Sequence, residues 1–176
     1  AAAGADVLPV ALRQAVPDGA GWRLLLSSGE ERFASFLIDA TGRAASFGRK
    51  HAAYRRVDRQ VAATALLTQQ DTSVEPTAAT LIEAVEEGWW YAALLPDGRL
   101  SLAYFSDPDL MPAGISHDPA AWRGCLAQTT YVGRWVTDAG FGSLPPPRLT
   151  SAGTARLEPP AGLTESGAGW AAIGDA

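Results

Sequence analysis

The chain has 176 residues, of which 47% are hydrophobic and 19% are charged, and its formal net charge is −5. This composition is typical of a globular chain of about one domain, and the acidic balance gives no general case for binding nucleic acid or a membrane surface. The single cysteine, Cys125, excludes an internal disulfide, and two separated histidines, His51 and His117, do not form a zinc motif. No apolar run is long enough to span a membrane and no secretory signal is visible, so a cytoplasmic location is expected.

The start of the chain is predicted to form a β-meander. The segment 6–16 has strand character, and Pro9 favours an edge position or a late start of that strand. Residues 17–21 (PDGAG) predict a turn, because proline presets φ and glycine tolerates a positive φ. Two further strands are predicted at 22–27 and 32–39, and the second ends in the apolar run Phe-Leu-Ile.

A turn of small residues closes this apolar run and is the first candidate binding site. Its residues are Asp39, Ala40, Thr41, Gly42 and Arg43. In open α/β sheets, ligands collect just beyond the carboxyl ends of the strands, which is where this turn is expected. Gly42 lacks a Cβ and lets the backbone approach a ligand, and Arg43 can contact an anionic group.

The positive charge of the chain is concentrated in residues 43–59. The basic residues of this segment are Arg43, Arg49, Lys50, His51, Arg55, Arg56 and Arg59. One interpretation is a solvated crossover between two domains, which is the usual role of such a charge run. The other interpretation is that some of these arginines contact an anionic group of a cofactor or a substrate.

An antiparallel sheet is predicted for the middle of the chain. A strand at 61–68 is followed, after a polar loop, by the segment 80–96, which forms either a strand pair or one bent strand. A Pro-Asp-Gly turn at 96–98 leads into a strand at 99–107, in which large apolar residues alternate with smaller ones.

Three consecutive aromatic residues of this sheet, Trp89, Trp90 and Tyr91, cannot all face the same side of a strand. At least one of them must point away from the side that faces the core. Either Trp90 or the pair of Trp89 and Tyr91 is therefore a candidate for a substrate pocket.

A helix is predicted after the sheet. Asp118 suits the N-cap and Pro119 suits the first helical position. An apolar face continues as far as Val136 and includes Cys125 as a small buried residue. Two glycines weaken the helix, and a break is expected within 128–133.

The last part of the predicted sheet is a strand over 148–158, which contains two further candidate site residues, Arg148 and Arg156. A loop then leads to a short apolar strand at 170–173. Three residues follow this strand directly: Gly174, Asp175 and Ala176. An aspartate after a strand and a glycine can hydrogen-bond a sugar-like hydroxyl, and nearby backbone N–H groups can face a phosphate.

Three short motifs occur in a defined order: ATG at 40–42, GWWYAALLPDGR at 88–99 and GD at 174–175. In this order they resemble motifs of the FAD-dependent monooxygenases of the p-hydroxybenzoate hydroxylase type and of the related flavin-dependent halogenases. The resemblance implies FAD as the cofactor and NAD(P)H as a candidate electron donor. It also implies a small organic substrate, or a side chain of a partner protein, and neither nucleic acid nor a membrane.

The resemblance assigns roles to the two candidate turns. Residues 39–43 would lie near the dinucleotide, and arginines of the basic segment would be candidates for contact with the FAD pyrophosphate. Asp175 would hold the ribityl chain, and Gly174 and Ala176 would let the backbone approach it. The sheet that carries the three aromatic residues would shape the substrate pocket.

The resemblance also implies the architecture. The expected fold class is α+β, with a mainly antiparallel β-sheet substrate domain and a packed helix, plus a β-meander and strands that belong to a Rossmann-like FAD-binding domain. The FAD-binding domain would contribute residues 1–43 and 166–176, and the substrate domain residues 44–165. Because the GxGxxG fingerprint is absent, the chain is expected to be an internal fragment that does not hold FAD tightly by itself.

Four functions stay open. The first is an FAD-dependent, monooxygenase-like oxidoreductase, which agrees with the lack of a nucleophile–base–acid constellation. The second is a flavin-dependent halogenase, although WWYAALLP at 89–96 departs from the WxWxIP pattern and Lys50 is not where the catalytic lysine is expected. The third is a flavoprotein maturase that modifies a partner protein, as in the quinone-cofactor amine oxidase systems. The fourth is a non-enzymatic β-rich binding module.

Overall fold

The computed structural model describes residues 4–176, and residues 1–3 of the first predicted domain lie outside this range. The described residues form two units. The terminal unit consists of residues 4–56 and 155–176, and the central unit consists of residues 57–154. The strands, in chain order, are β1 (Leu12–Asp18), β2 (Gly21–Leu26), β3 (Glu31–Ala34), β4 (Phe36–Asp39), β5 (Ala53–Arg56), β6 (Val61–Leu67), β7 (Thr80–Val85), β8 (Gly88–Leu94), β9 (Leu100–Ser106), β10 (Arg148–Ser151), β11 (Ala155–Glu158), β12 (Ala161–Leu163) and β13 (Gly169–Ala172). The α-helices are α1 (Pro119–Leu126) and α2 (Val132–Asp138).

The terminal unit begins with β1, β2 and β3, which form an antiparallel sheet in that order, as the predicted meander requires. The prediction of one strand over 32–39 was wrong, because this segment is divided between β3 and β4, which belong to different sheets. The turn between β1 and β2 is the predicted one, and Gly19 has a φ of 61° there, a conformation that glycine adopts without strain. The first strand starts only at Leu12, as expected from the restriction that Pro9 imposes on the preceding segment.

A second sheet of the terminal unit has the order β12-β13-β4. β13 runs parallel to β4 and antiparallel to β12. The sequence pattern did not predict β12, because this three-residue strand is short and follows two prolines. The core of the unit contains three aromatic and three aliphatic residues: Trp22, Phe47, Trp170, Ala45, Leu157 and Ala168.

The central unit is a five-stranded antiparallel sheet in the order β10-β6-β9-β8-β7. The segment 80–96 forms the predicted strand pair rather than one bent strand, because β7 and β8 pair from Thr80 with Ala93 to Val85 with Gly88. The predicted turn between β8 and β9 is confirmed by Gly98, which has a φ of 80°. The predicted antiparallel meander is therefore confirmed.

The two helices pack on one face of this sheet, as the ring centroids of Trp122 in α1 and Trp90 in β8 lie 4.8 Å apart. The core on this face is almost entirely apolar, and its residues are Ala63, Ala65, Leu67, Trp90, Ala92, Leu100, Leu102, Tyr104, Ile115, Trp122, Cys125, Leu126, Val132, Val136, Ala139 and Phe141. Alternate residues of each strand point to the opposite side of the sheet, the open face. Its residues include Thr64, Leu66, Trp89, Tyr91, Ser101 and Phe105.

The predicted helix start and helix break are both confirmed. The Asp118 carboxylate caps α1 by accepting a hydrogen bond of 2.8 Å from the Ala120 amide, and Pro119 occupies the first turn. α1 ends at Leu126 and α2 begins at Val132, so the interruption at 127–131 overlaps the expected segment 128–133. Among residues 4–176, no helix has the length and apolar character needed to cross a membrane.

The prediction of one strand over 148–158 was wrong. β10 pairs with β6, whereas β11 pairs with β5, so the segment contributes to two different sheets. The backbone around Gly153 separates the two strands, and a Cβ at this glycine would lie 2.7 Å from the Asp58 carbonyl oxygen. The mainly antiparallel α+β character is confirmed, and the assignment of strands to a Rossmann-like domain stays a prediction.

Candidate functional site

The two turns predicted as binding sites lie side by side. β4 and β13 pair in parallel, with Asp39 opposite Ala172, so both strands end at the same edge. Beyond the pair, the Ile173 amide donates a hydrogen bond of 3.0 Å to the Asp39 carbonyl oxygen. The turns at 39–43 and 174–176, more than 130 residues apart in sequence, therefore share the carboxyl edge of one parallel ladder.

A buried carboxylate organises the first turn. Asp39, only 1% exposed, accepts hydrogen bonds through Oδ2 from the amides of Phe47 (3.0 Å) and Gly48 (2.7 Å). Its Oδ1 accepts from the amide and the hydroxyl of Thr41 at 2.9 and 2.6 Å. The Thr41 hydroxyl in turn accepts from the Ser46 amide at 2.8 Å. The side chains of Asp39 and Thr41 thus hold the backbone of residues 39–48 in place, and most of their hydrogen-bonding capacity is used within this segment.

The hydrogen bonds keep this carboxyl ionised. Burial raises the pKa of Asp39, but the hydrogen bonds from the Thr41 hydroxyl and from the Gly48, Thr41 and Phe47 amides together outweigh burial, and the pKa falls below its usual value of 3.8. A Cβ at Gly48 would clash with Cδ1 of the buried Leu157, which would have to move, and would lie 3.4 Å from Asp39 Oδ2.

Two glycines sit at the tips of the two turns. Gly42 has a φ of 63° and Gly174 a φ of 67°, and neither would have a protein atom within 4 Å of an added Cβ. The backbone at both positions is therefore accessible to a ligand. Asp175 is exposed beside the second glycine, and its carboxylate makes no hydrogen bond or ion pair with residues 4–176. Ala176 is half-buried next to it.

Several cations of the basic segment have protein partners. The Arg49 guanidinium lies 3.5 Å above the Tyr54 ring and donates to the Arg43 carbonyl oxygen, and Arg55 pairs with Glu158 at 2.6 Å. Arg156, a candidate from the sequence, pairs with the same glutamate. Arg43 itself is exposed within the first turn. These pairs favour a structural role for Arg49, Arg55 and Arg156.

His51 belongs to an aromatic cluster in the terminal unit. Its ring centroid lies 4.5 Å from that of Phe47, 5.5 Å from Trp22 and 5.7 Å from Trp170. Desolvation and the neighbouring charge of Lys50 lower the pKa of this imidazole. Within the described part of the chain, no three His, Cys, Asp or Glu side chains are grouped so that they could hold a metal ion.

The structure separates the three consecutive aromatic residues of β8. Trp90 is fully buried against the helices, with its ring centroid 5.0 Å from that of Tyr104. Trp89 and Tyr91 point to the open face, where Trp89 stacks on Phe105 at 3.9 Å. Of the two predicted alternatives, the Trp89–Tyr91 pair is the one that remains accessible.

A cavity of about 560 Å³ lies on the open face near β6, β9 and β10. Arg148, a candidate from the sequence, lines this cavity together with residues of all three strands and of the loop before β10. The cavity could not be predicted from the sequence, because the residues that line it are distant from one another in the chain.

No protein-family model matches the sequence, and no curated protein matches it. Solved structures with a similar fold include a myxobacterial chondrochloren halogenase, a variant of FAD-dependent halogenases (16% identity, 94% of this chain and 39% of that chain, TM-score 0.67). They also include the peptidyl tryptophan dihydroxylase QhpG, essential for tryptophylquinone cofactor biogenesis (24%, 99% and 37%, TM-score 0.58). A third is a flavoprotein/dehydrogenase from Cytophaga hutchinsonii (14%, 94% and 41%, TM-score 0.67).

These likenesses show that the chain has the fold of part of the FAD-dependent halogenases and of a related flavoprotein. The resemblance inferred from the three ordered motifs is thus confirmed at the level of the fold. The chain spans less than half the length of the solved structures described above.

Proposed function

We propose that the chain is part of an FAD-dependent, monooxygenase-like oxidoreductase that oxidises an organic substrate. The observation that carries the proposal is the meeting of the turns at 39–43 and 174–176 on one edge of the parallel β4–β13 ladder. Carboxyl edges of parallel strands are the usual ligand sites of α/β sheets. β4 and β13 would accordingly belong to a Rossmann-like FAD-binding domain, and the central sheet to the substrate domain.

The residues at this edge fit a dinucleotide. Gly42 and Gly174 leave open space where a side chain would stand, so the backbone N–H groups of both turns can approach phosphate or ribityl oxygens. Asp175 offers an exposed carboxylate without a protein partner among residues 4–176, which suits a hydroxyl donor. The Asp39 carboxylate is already engaged, so Asp39 acts as a positioning residue for the turn.

FAD supplies the redox chemistry when it is bound, and the protein supplies binding, orientation and exclusion of solvent. In this chain, Asp175 would accept a hydrogen bond from the ribityl chain, and Gly174 and Ala176 would allow its close approach. The turn at 39–43, which includes Arg43, would lie along the dinucleotide. NAD(P)H is the electron donor that we propose.

The visible absorption spectrum of the full-length protein, purified with and without added FAD, tests the proposal. We expect the spectrum of bound flavin. We also expect Gly174→Val to raise the Kd for FAD by at least about tenfold, because a branched side chain would fill the space through which the cofactor approaches the backbone. Gly167→Val is the matched control, since Gly167 also has a positive φ (89°) and open space but lies in the turn at the other end of β13.

The absence of bound flavin under both conditions would overturn the proposal and favour a β-rich binding module. Equal losses of FAD affinity in the two glycine variants would mean that the edge is not the cofactor site, because both substitutions carry a similar backbone strain.

Two narrower functions each have support from a similar structure. Likeness to FAD-dependent halogenases favours halogenation, for which product formation should require added halide. Likeness to a peptidyl tryptophan dihydroxylase favours oxidation of a side chain in a partner protein, for which a protein substrate should be turned over and the free amino acid should not. The departure of β8 from the halogenase WxWxIP pattern leads us to rank halogenation second to oxygenation.

A further inference from the structure

The cavity on the open face of the central sheet combines apolar walls with one charged side chain. Its volume of about 560 Å³ lies within the range of about 300–1,000 Å³ that is usual for small-molecule sites. The lining residues that matter for recognition are Thr64, Leu66, Ser101, Pro145, Pro146 and Arg148. The walls can therefore hold an apolar ligand body, with the polar groups at one side.

Arg148 is the charged residue among those that line the cavity. It is exposed at the start of β10, opposite Thr64 in β6, and both residues point to the open face. Within residues 4–176, the Arg148 guanidinium has no ion pair or hydrogen-bond acceptor. Other arginines of the chain do have carboxylate partners, for example Arg99 with Asp97 at 2.6 Å.

An unpaired guanidinium beside a hydroxyl is suited to a carboxylate. The planar fork of arginine presents parallel N–H groups that match the two oxygens of a carboxylate. The Ser101 hydroxyl lines the same cavity and can donate a further hydrogen bond. Leu66, 49% exposed, and the two prolines offer apolar contact for a ring or an alkyl chain.

We propose that this cavity binds a small organic carboxylate and that Arg148 is the residue that determines this specificity. The identification of this carboxylate with the molecule to be oxidised rests on the proposed function, whereas the binding itself does not. Arg148 holds the anionic group, Ser101 supports it, and the apolar walls hold the remainder of the molecule.

The test uses the full-length protein and two probes of almost equal shape, 2-naphthoate and its neutral amide, 2-naphthamide, with Kd values from titration calorimetry. We expect the carboxylate to bind at least about tenfold more tightly than the amide, as is usual for hydrogen bonds to charged groups. Because the site is open to solvent, this preference should decrease as the salt concentration rises.

Two variants distinguish the contribution of the Arg148 charge to binding from that of the cavity volume. Arg148→Gln should raise the Kd for 2-naphthoate to that for 2-naphthamide and leave the amide unaffected. Leu66→Trp should fill the cavity and weaken the binding of both probes. Arg134→Gln is the control for a general loss of positive charge, because Arg134 is an exposed residue of α2 that pairs with Asp138.

The inference is overturned if the wild-type protein does not prefer the carboxylate, or if Arg148→Gln and Arg134→Gln reduce its binding equally. Thermal unfolding of each variant shows whether it is folded, and a variant that unfolds early is replaced by Arg148→Lys, which should retain part of the preference. FAD uptake is measured separately on the same samples. Carboxylate binding without flavin uptake would contradict only the proposed function, and the reverse would contradict only this inference.

Discussion

The two units of the molecule hold their buried polar atoms in different ways. In the terminal unit, the indole N–H of the buried Trp22 donates a hydrogen bond of 2.7 Å to the Gly169 carbonyl oxygen, and the buried Asp39 collects backbone amides. In the core of the central unit, Trp90 Nε1 and Trp122 Nε1 have no hydrogen-bond partner among residues 4–176. Specific polar contacts anchor the first unit, whereas apolar packing dominates the second.

This difference follows from the backbone structure of each unit. The candidate cofactor edge consists of turns, whose backbone has no ladder to hold it, so directional hydrogen bonds have to define its shape. The central sheet is defined by its ladders and by an apolar face, and close packing suffices to fix it. The stability of the terminal unit should accordingly be sensitive to single polar atoms, and that of the central unit to volume.

The largest effect is expected for Asp39→Asn. In either orientation of the new side chain, its NH2 group would face backbone N–H donors, those of Phe47 and Gly48 or that of Thr41. We therefore expect a loss of about 3 kcal/mol in the free energy of unfolding. Urea unfolding measures the loss, and hydrogen exchange at the two amides should locate it. Asp18→Asn is the control, because Asp18 forms an exposed pair with Arg23 that contributes little.

The free energy of unfolding should depend on pH differently in the wild-type protein and in Asp39→Asn. The pKa of Asp39 is lowered in the folded state, so the ionised carboxylate stabilises the fold above its unfolded-state pKa of about 3.8, and this contribution is lost as the pH falls through the folded-state pKa. The stability difference between wild type and Asp39→Asn should therefore be constant from pH 7 to about pH 5 and decrease below pH 4. A difference that does not change with pH would mean that Asp39 contributes by shape alone.

Local signals made much of the fold predictable. Turn residues such as Gly19 and Gly98 marked the hairpins, and Asp118 with Pro119 marked the start of α1. The division of 148–158 between two sheets was not predictable, because the choice of β6 or β5 as partner is a long-range event that leaves no mark in the segment itself.

The candidate site was predictable to a similar degree. The residues of both turns were predicted from the strand ends and the small residues that follow them. Asp39, however, was predicted to contact a ligand, and its hydrogen bonds to the amides eight and nine residues later were not predicted. Only its bond to Thr41 had a local signal, since an aspartate often accepts a hydrogen bond from the amide two residues on. The cavity at Arg148 had no local signal, because its walls come from separate strands.

A matched pair of substitutions isolates the buried indole N–H. Trp22→Phe and Trp90→Phe remove the same atoms from two fully buried sites, but only the first breaks a hydrogen bond and leaves the Gly169 carbonyl oxygen without its indole partner. We expect a loss of about 2 kcal/mol for Trp22→Phe and about 1 kcal/mol or less for Trp90→Phe, measured by urea unfolding. Equal losses would contradict the inference that polar contacts anchor the terminal unit more than the central unit.

The smallest effect concerns a carboxylate of the central unit that, like Asp39, accepts hydrogen bonds from several backbone amides. Glu83 of β7 accepts hydrogen bonds from the amides of Thr130, Tyr131 and Val132, which lie at the N-terminal end of α2. Burial raises the pKa of Glu83, but these amides outweigh burial and lower it, as expected for a carboxylate at a helix start.

Glu83→Gln should cost about 1 kcal/mol, less than Asp39→Asn, because Glu83 is half-buried and water can replace part of the lost interaction. Glu86→Gln, in the exposed turn after β7, is the control, and hydrogen exchange should show faster opening of α2 only in Glu83→Gln. FAD affinity provides the sharper contrast, since Asp39→Asn should weaken it and Glu83→Gln should not. A loss of FAD affinity in Glu83→Gln equal to that in Asp39→Asn would mean that general stability, rather than the shape of the turn at 39–43, controls flavin binding.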